Sequence, residues 1–515
     1  MKTQASVAPA PDSAHKPPTQ SQRILAAEEK AGECFDALLS LVQDSALREN
    51  RELHEVERGV LEQLLRLGRT LVELFVAEKG PGRVGEREAI SPAGEALPYH
   101  SIKVRRSYLS IFGSIAIPRA YYWKPGAKKG WCPLDAELNL PEQRYSYLLQ
   151  EWGTLLGVDG SFEKVTARLD TLIGVKVWSQ GVRTVGRSAG SAVQAFYEQK
   201  PPPNPSEEGE LLVATLDGKG VPIRPAEPRE RRLRLRTGEK PNKKKEAVVS
   251  AVYSADRYVR TPDDVIREIN DLGFVVKPNP APPRRPRPHG KRVRATLLGK
   301  DAAFAEARRQ LDERDPLGTA RRVGLTDGAA SLQERVLRDL AGPGGIVLIL
   351  DLMHVLTYLW AAANVDHKEG STEASRWVMR KLRLLLEGKV GYVIGGLRRR
   401  LQEQKGLNKT KRKALNKAIT YFERNRDYMA YDVYLAEGYP IGSGVVEGAC
   451  KHLVKDRMEL TGMRWSEPGA QAVLELRAVE LNGDWRDFWV FHAGTQRERL
   501  YGVKREAVNL PREAA

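Results

Sequence analysis

Apolar positions along the chain change their spacing several times, and each change marks an expected element. From residue 24 to 80 they recur every three or four residues, as in Leu61, Leu64, Leu65, Leu67, Leu71 and Leu74. That period predicts helices, ended by Gly80-Pro81-Gly82. Between Ile102 and Trp123, β-branched and aromatic residues flank Phe112-Gly113-Ser114, which predicts a hairpin. Lys103, Arg105, Arg106 and Arg119 make it a basic ribbon, suited either to a DNA groove or to guarding a sheet edge. Residues 142–197 return to a helical period. Phe162, Val165, Leu169 and Leu172 form one apolar face, Gly174 a turn, and Ser179 opens a second helix with Val182 and Val185 inward. This is the layout of a helix-turn-helix, with Gln180, Arg183, Thr184 and Arg187 facing out toward bases and phosphates. Helix pairs joined at glycine also occur as plain scaffolding.

A proline-rich break, Pro201 to Pro205, precedes a different pattern. LLVATLDGKGVPI predicts a buried strand ending at Asp217, Glu246 to Ser254 a second strand, and Gly273 to Pro278 a third. Gly299 to Arg314 reads as a helix, RRVGLTD as a strand ending at Asp327, and SLQERVLRDL as a helix. GGIVLILD then runs through Asp351 into another helix. The order β-β-β-α-β-α-β-α predicts a mixed α/β sheet with helices on its faces, its early strands antiparallel. Trp485, Phe488, Trp489 and Phe491 predict a short closing helix. The expected organisation is a tail to residue 22, helices over 23–90, a β-rich region over 91–135 and the helix-turn-helix over 136–200. A core over 206–365 and 441–495 follows, interrupted by 366–440 and trailed by 496–515.

Charge sharpens this picture. The 515 residues carry 83 Lys and Arg against 66 Asp and Glu, a net +17. Arg224–Lys245 holds 10 basic and 3 acidic residues, Arg284–Arg294 holds 6 and none, and Arg398–Lys413 holds 8 and 1. These three stretches contain more than the whole surplus. Clusters of this kind neutralise phosphates and release counterions, which makes nucleic acid the leading partner. Solvated loops are the plainer alternative. No run of about 18 apolar residues exists to span a membrane, and the polar, proline-rich start lacks a secretory h-region. Three widely spaced cysteines, Cys34, Cys132 and Cys450, offer neither a disulfide framework nor zinc spacing and suit a reducing cytoplasm.

Three acids stand where apolar strands end. Asp217, Asp327 and Asp351 would each be desolvated there unless something pairs with them, and a divalent cation is one such partner. Two of them precede glycine, which allows close approach. Near the C-terminus, Ser443 can cap a helix that carries Glu447, Lys451, Lys455 and Arg457. That face reads either as an ordinary Glu447–Lys451 pair or as an acid set among phosphate-binding cations.

Asp217 on a first strand, Asp327 on a fourth and Glu447 on a late helix resemble the arrangement of the RNase H-like DDE transposases. The wording LDGKGVPI, TDGAASL, LDLMHVLTYLW, YFERNRDYMAYDVYLAEGYPIGSGVVEGACKHLVKDRM and GMRWSEPGAQAVLELRA is similar to the bacterial insertion-sequence transposases of the ISKra type. The resemblance covers residues 95–490 and is densest from Asp351 to Trp489. Asp351-Leu352-Met353-His354 matches that family's Asp/Cys-x-x-His element, and the basic stretch before Gly442 matches its all-helical insertion. A cysteine pair found in some relatives is reduced here to Cys132.

The resemblance implies an RNase H-like core and phosphoryl transfer on double-stranded DNA, with binding to terminal inverted repeats and joining to target DNA. It implies two Mg²⁺ or Mn²⁺ ions about 3.5–4 Å apart, held by Asp217, Asp327 and Glu447 as catalytic residues. Asp351 and His354 are auxiliary; His354 positions Asp351 or a phosphate, or fastens helix to sheet. Arg183, Arg187, Arg284, Arg285, Arg287, Lys291, Arg292, Lys451, Lys455 and Arg457 are the expected DNA contacts. A cytoplasmic, nucleoid-associated homodimer or higher oligomer on DNA is the expected setting. Alternatives are an RNase H-like nuclease without strand transfer and an inactive DNA-binding regulator.

Overall fold

The computed structural model describes residues 18–49, 51–82, 89–126, 130–224, 244–271, 285–403, 406–460 and 462–503. The chain divides into two compact units, residues 1–186 with 486–515, and residues 187–485.

The first unit opens with α1 (Gln20–Leu47) and α2 (Leu53–Lys79), packed along each other. α1 begins in a capping box, with Thr19 accepting from the Gln22 N–H and Gln22 reaching back to Thr19. Short β1 (Ala89–Ile90) pairs with β2 (Ala96–Leu97), and β3 (Tyr99–Ser110) pairs with β4 (Gly113–Trp123). Their tight turn uses Gly113 at φ +110° and the Ser110 hydroxyl, which accepts from the Phe112 N–H at 3.1 Å. Ile115 and Ile117 bury themselves on Val76, Leu134 and Leu140. The ribbon is only partly available to a groove, because Arg106 and Arg119 turn inward to share Asp135. Arg105 stays exposed. After α3 (Pro133–Glu137) come α4 (Tyr147–Asp159), α5 (Phe162–Ile173) and α6 (Ser179–Gly190). Gly174, at φ +66°, closes α5 in the left-handed conformation that glycine adopts most cheaply.

α6 runs across the division between the units. The second unit therefore starts before the proline-rich break, and α7 (Val193–Gln199) belongs to it. Its centre is a five-stranded sheet of order β7-β6-β5-β8-β9. The strands are β5 (Leu211–Pro222), β6 (Lys244–Ala255), β7 (His289–Thr296), β8 (Arg321–Thr326) and β9 (Val347–Leu350). β6 is antiparallel to β5 and β7, whereas β8 and β9 run parallel to β5. Six consecutive buried residues, Leu211 to Leu216, make β5 the covered centre, as expected of a strand with packing on both faces.

Alternate side chains serve the two faces. Leu212, Ala214, Leu216, Val248 and Val252 meet Phe304 and Leu311 of α9 (Lys300–Arg314) and Val336 of α10 (Ala330–Asp339); α8 (Pro262–Asp271) precedes β7. On the other face Leu211, Val213, Val323 and Ile349 meet α11 (Leu352–Ala363). The helices α12 (Thr372–Leu386), α13 (Val390–Glu403), α14 (Lys409–Arg424) and α15 (Tyr431–Ala436) extend that core. The regular structure among the described residues of 366–440 is helical. Each fully buried Leu or Val contributes about 1.5–3 kcal/mol. The unit ends with α16 (Gly444–Ala449), a π-helical turn Cys450–Lys455, α17 (Asp456–Met458) and α18 (Glu467–Leu481). α19 (Trp485–Tyr501) leads back into the first unit and runs beyond the expected closing segment. No helix among the described residues is long and apolar enough to cross a membrane.

The strand expected at Gly273 to Pro278 lies outside the described residues; among those described, the strand after β6 is His289–Thr296, drawn from the basic cluster. And Asp217 is not a strand end: β5 continues five residues further, paired with β6 as far as Pro222 opposite Lys244. What ends is its parallel pairing to β8, at Thr215 opposite Leu325, two residues before Asp217.

Candidate active site

Asp217 lies in β5 just past the point where β8 stops. Its Oδ1 accepts from the Gly218 N–H at 2.7 Å, and its Oδ2 accepts from the Cys450 thiol at 3.3 Å. Asp327 follows β8 at once and is half-buried. Its Oδ1 accepts from the Ala329 N–H at 2.8 Å. Its backbone is held from the insertion, by the Tyr421 hydroxyl on the Asp327 carbonyl at 2.9 Å and by Arg424 on the Gly328 carbonyl. Gly328 sits at φ +93°, and a Cβ there would strike the Tyr421 ring at 2.8 Å, so the turn requires glycine.

Asp351 is fully buried and caps α11. Oδ1 accepts from the N–H groups of Met353 and Ser443, at 3.4 and 2.8 Å, and Oδ2 from the His354 N–H and its ring Nδ1, at 3.2 and 2.7 Å. Its acceptor sites are therefore occupied by N–H donors. The Ser443 contact fixes the start of α16, and with it Glu447. Burial would raise the Asp351 carboxyl, but bonds from His354 and Ser443 outweigh that and hold it below the usual range. The Asp351 hydrogen bond raises the His354 imidazole, and Asp327 and Glu447 add to it.

Glu447 stands on α16, which packs against β5 and β6. Desolvation and then the charge of Asp351 push its carboxyl up; His354 opposes and Asp217 adds to the rise. Ligand atoms of Asp351, His354 and Glu447 lie within 4.8 Å of one another, the one such group among the described residues. Asp217 and Asp327 stand outside that trio, and both act on it electrostatically. Of the five groups inferred from sequence, Asp351, His354 and Glu447 are the ones brought to ligand distance among the described residues, with Asp351 also capping α11. The sequence reading missed Cys450, buried one helical turn after Glu447; burial and then Asp217 push its thiol far up, so it remains a hydrogen-bond donor.

The expected DNA contacts separate into two sets. Lys451, Lys455, Arg285, Arg287 and Lys291 are exposed. Arg284 lies outside the described residues, as does most of Arg224–Lys245. Arg457 cannot touch phosphate: it is fully buried, with its guanidinium 4.7 Å from the Trp465 ring centre. The intervening π turn adds a residue to the helical phase and rotates position 457 inward. Arg292 is half-buried over the Tyr197 ring at 5.1 Å, a packing role rather than a phosphate contact. Further cations, Lys409, Lys411, Arg412 and Lys413, crowd the exposed first turn of α14, where a helix dipole favours anions.

In α6, Arg183 pairs with Glu163 at 3.0 Å and lies 5.4 Å over Phe162, while Arg187, further along the helix, is exposed. If α6 reads DNA, Arg183→Ala with Arg187→Ala lowers the preference for terminal-repeat over random DNA in competition binding. A preference left intact assigns this helix pair to scaffolding.

Compared with protein-family models and with curated proteins, the chain finds no match in either.

Proposed function

We propose that this protein is an RNase H-like DDE transposase that cuts and joins DNA with Asp217, Asp327 and Glu447. The observation that carries the reading is the sheet. A central strand bearing the first acid is flanked on one side by an antiparallel pair and on the other by two parallel strands, the nearer of which leads directly into the second acid. The helix carrying the third acid packs against that central strand. Helices α12–α15 intervene before it, as the resemblance in sequence implies.

The residues fit a divalent cation. Three carboxylates would supply hard oxygen ligands, and the Glu447 carboxyl, pushed up by burial and then by the charges of Asp351 and Asp217, is one that a bound cation would hold ionised. Mg²⁺ or Mn²⁺, two ions in the proposed scheme, would activate an attacking water or 3′-hydroxyl and stabilise the leaving oxygen. Asp217 is held by Gly218 and Cys450, and Asp327 by Ala329 and the clamped turn behind it, so both are pre-positioned. Asp351 holds Ser443 and His354 in place instead. Lys451 and Lys455 offer positive charge along the DNA backbone near Glu447.

The test is to incubate the purified protein with DNA flanking its own coding sequence, together with a plasmid target and Mg²⁺. Cleavage at matched inverted repeats and joined products are expected. Intact DNA in both Mg²⁺ and Mn²⁺, with binding retained, overturns the proposal; cleavage without joining leaves a nuclease. Separately, Arg285→Ala, Arg287→Ala and Lys291→Ala together should flatten the salt dependence of binding by up to about three units of slope, without changing sequence preference. Salt titrations that superimpose on the unaltered protein make these three cations merely solvated side chains.

A further inference from the structure

Beside the helix of Glu447 lies a cavity of about 330 Å³, within the range that encloses a small ligand. Its walls come from the end of β6, the loop after it, the segment before β7, and Gly444 and Val445, which open α16. Three arginines line it, Arg260, Arg285 and Arg287, against one acid, Asp256, whose carboxylate lies 3.3 Å from His289. Tyr258 supplies an aromatic wall, with Arg260 5.2 Å over one face of its ring, while Tyr253, also lining the cavity, is only 3% exposed.

Arg260 is only 7% exposed. One Nη donates to the Tyr439 carbonyl at 3.0 Å and the other lies 3.8 Å from Glu268, while Nε has no hydrogen-bond partner among the described residues. Burial pushes its guanidinium below the usual arginine range; Glu268 opposes this and Arg285 adds to it. Two like charges therefore converge on an open space, a cost that an anion entering it relieves. Arg285 offers a guanidinium fork to phosphate oxygens and Arg260 its unpartnered Nε, and a tyrosine ring accepts any base face. Glu447 follows Gly444 by less than one helical turn, so an occupant sits beside the proposed cutting site.

We propose that this cavity takes one deoxynucleotide of the DNA, swung out of its stack, with its phosphate on Arg260 and Arg285 and its base against the tyrosine wall. The assignment rests on the DNA-cutting reading above, but its test does not. Full-length protein is titrated by calorimetry with deoxyadenosine monophosphate, and separately with inorganic phosphate and deoxyadenosine. The nucleotide should bind saturably, and each fragment about tenfold more weakly or worse. Arg285 is exposed, so Arg285→Ala should fold normally and weaken nucleotide binding about tenfold. Absence of saturable nucleotide binding, equal affinity in Arg285→Ala, or equal affinity for inorganic phosphate each overturns the assignment. A protein that binds the nucleotide through Arg285 yet cuts no DNA keeps the cavity and loses the transposase; one that cuts but does not bind does the reverse.

Discussion

Asp327→Asn is expected to reduce DNA cleavage in Mg²⁺ or Mn²⁺ by about a thousandfold or more, with DNA binding retained. Several kcal/mol of charge stabilisation depend on a metal ligand, and each 1.36 kcal/mol is about tenfold in rate. Asp327 can serve as one because only its Oδ1 carries a hydrogen bond among the described residues, from the Ala329 N–H, which an asparagine carbonyl still accepts. The fold should therefore survive. Glu447→Gln should behave alike, and Asp217→Asn should lose cleavage equally, its carbonyl keeping the Gly218 N–H while its amide NH₂ donates to the Cys450 sulfur in place of accepting from it. Asp351→Asn should differ in kind. It sets an amide NH₂ against N–H donors from Ser443, Met353 and His354, so it should destabilise the protein by about 1–3 kcal/mol and leave residual cleavage. Kinetics alongside thermal melts separate the two. Robust cleavage by Asp327→Asn, with none from a folded Asp351→Asn protein, overturns the assignment of the second aspartate.

The largest expected effect on stability lies at Arg294. Its side chain is 7% exposed in β7, donates to Glu475 of α18 at 2.7 Å and to Gln194 of α7 at 3.0 Å, and lies 3.5 Å from Glu306 of α9. It ties the sheet edge to three helices of the second unit. Arg294→Met removes the cation and leaves two nearly covered carboxylates, a change that costs about 3–5 kcal/mol. Burial already pushes the Glu475 carboxyl up, with Arg294 opposing. Without Arg294 that carboxyl rises further, so the folded state binds a proton the unfolded chain releases. Stability of the variant should then be greatest at acidic pH and fall as pH rises through the raised folded value. Denaturant melts at pH 5 and pH 8 check this; a variant as stable as the parent at both would mean that the network contributes nothing.

These two sites mark how far the sequence was legible. β5, β8 and β9 announce themselves because both their faces are covered, leaving continuous apolar runs such as Leu211 to Leu216. The acids beside them were found for the same reason, since a carboxylate at the edge of such a run is conspicuous. β7 was hidden. Its alternation of Arg292, Val293, Arg294 and Ala295 reads as a charge cluster, because the Glu475 and Glu306 that neutralise Arg294 come from distant segments. The extension of β5 past Asp217 depends on pairing with β6, and no local pattern reports a partner's length. Arg457 was placed outward by a constant helical period that the π turn at Cys450–Lys455 interrupts. The capping role of Asp351 and the thiol of Cys450 against Asp217 are tertiary contacts with only weak local signals.

The most direct measurement is anomalous diffraction from crystals soaked in Mn²⁺. The account predicts Mn²⁺ contacted by Asp217, Asp327 and Glu447, with Asp351 still bonded to Ser443 and His354. Mn²⁺ confined to Asp351, His354 and Glu447, with Asp217 and Asp327 bare, would contradict it.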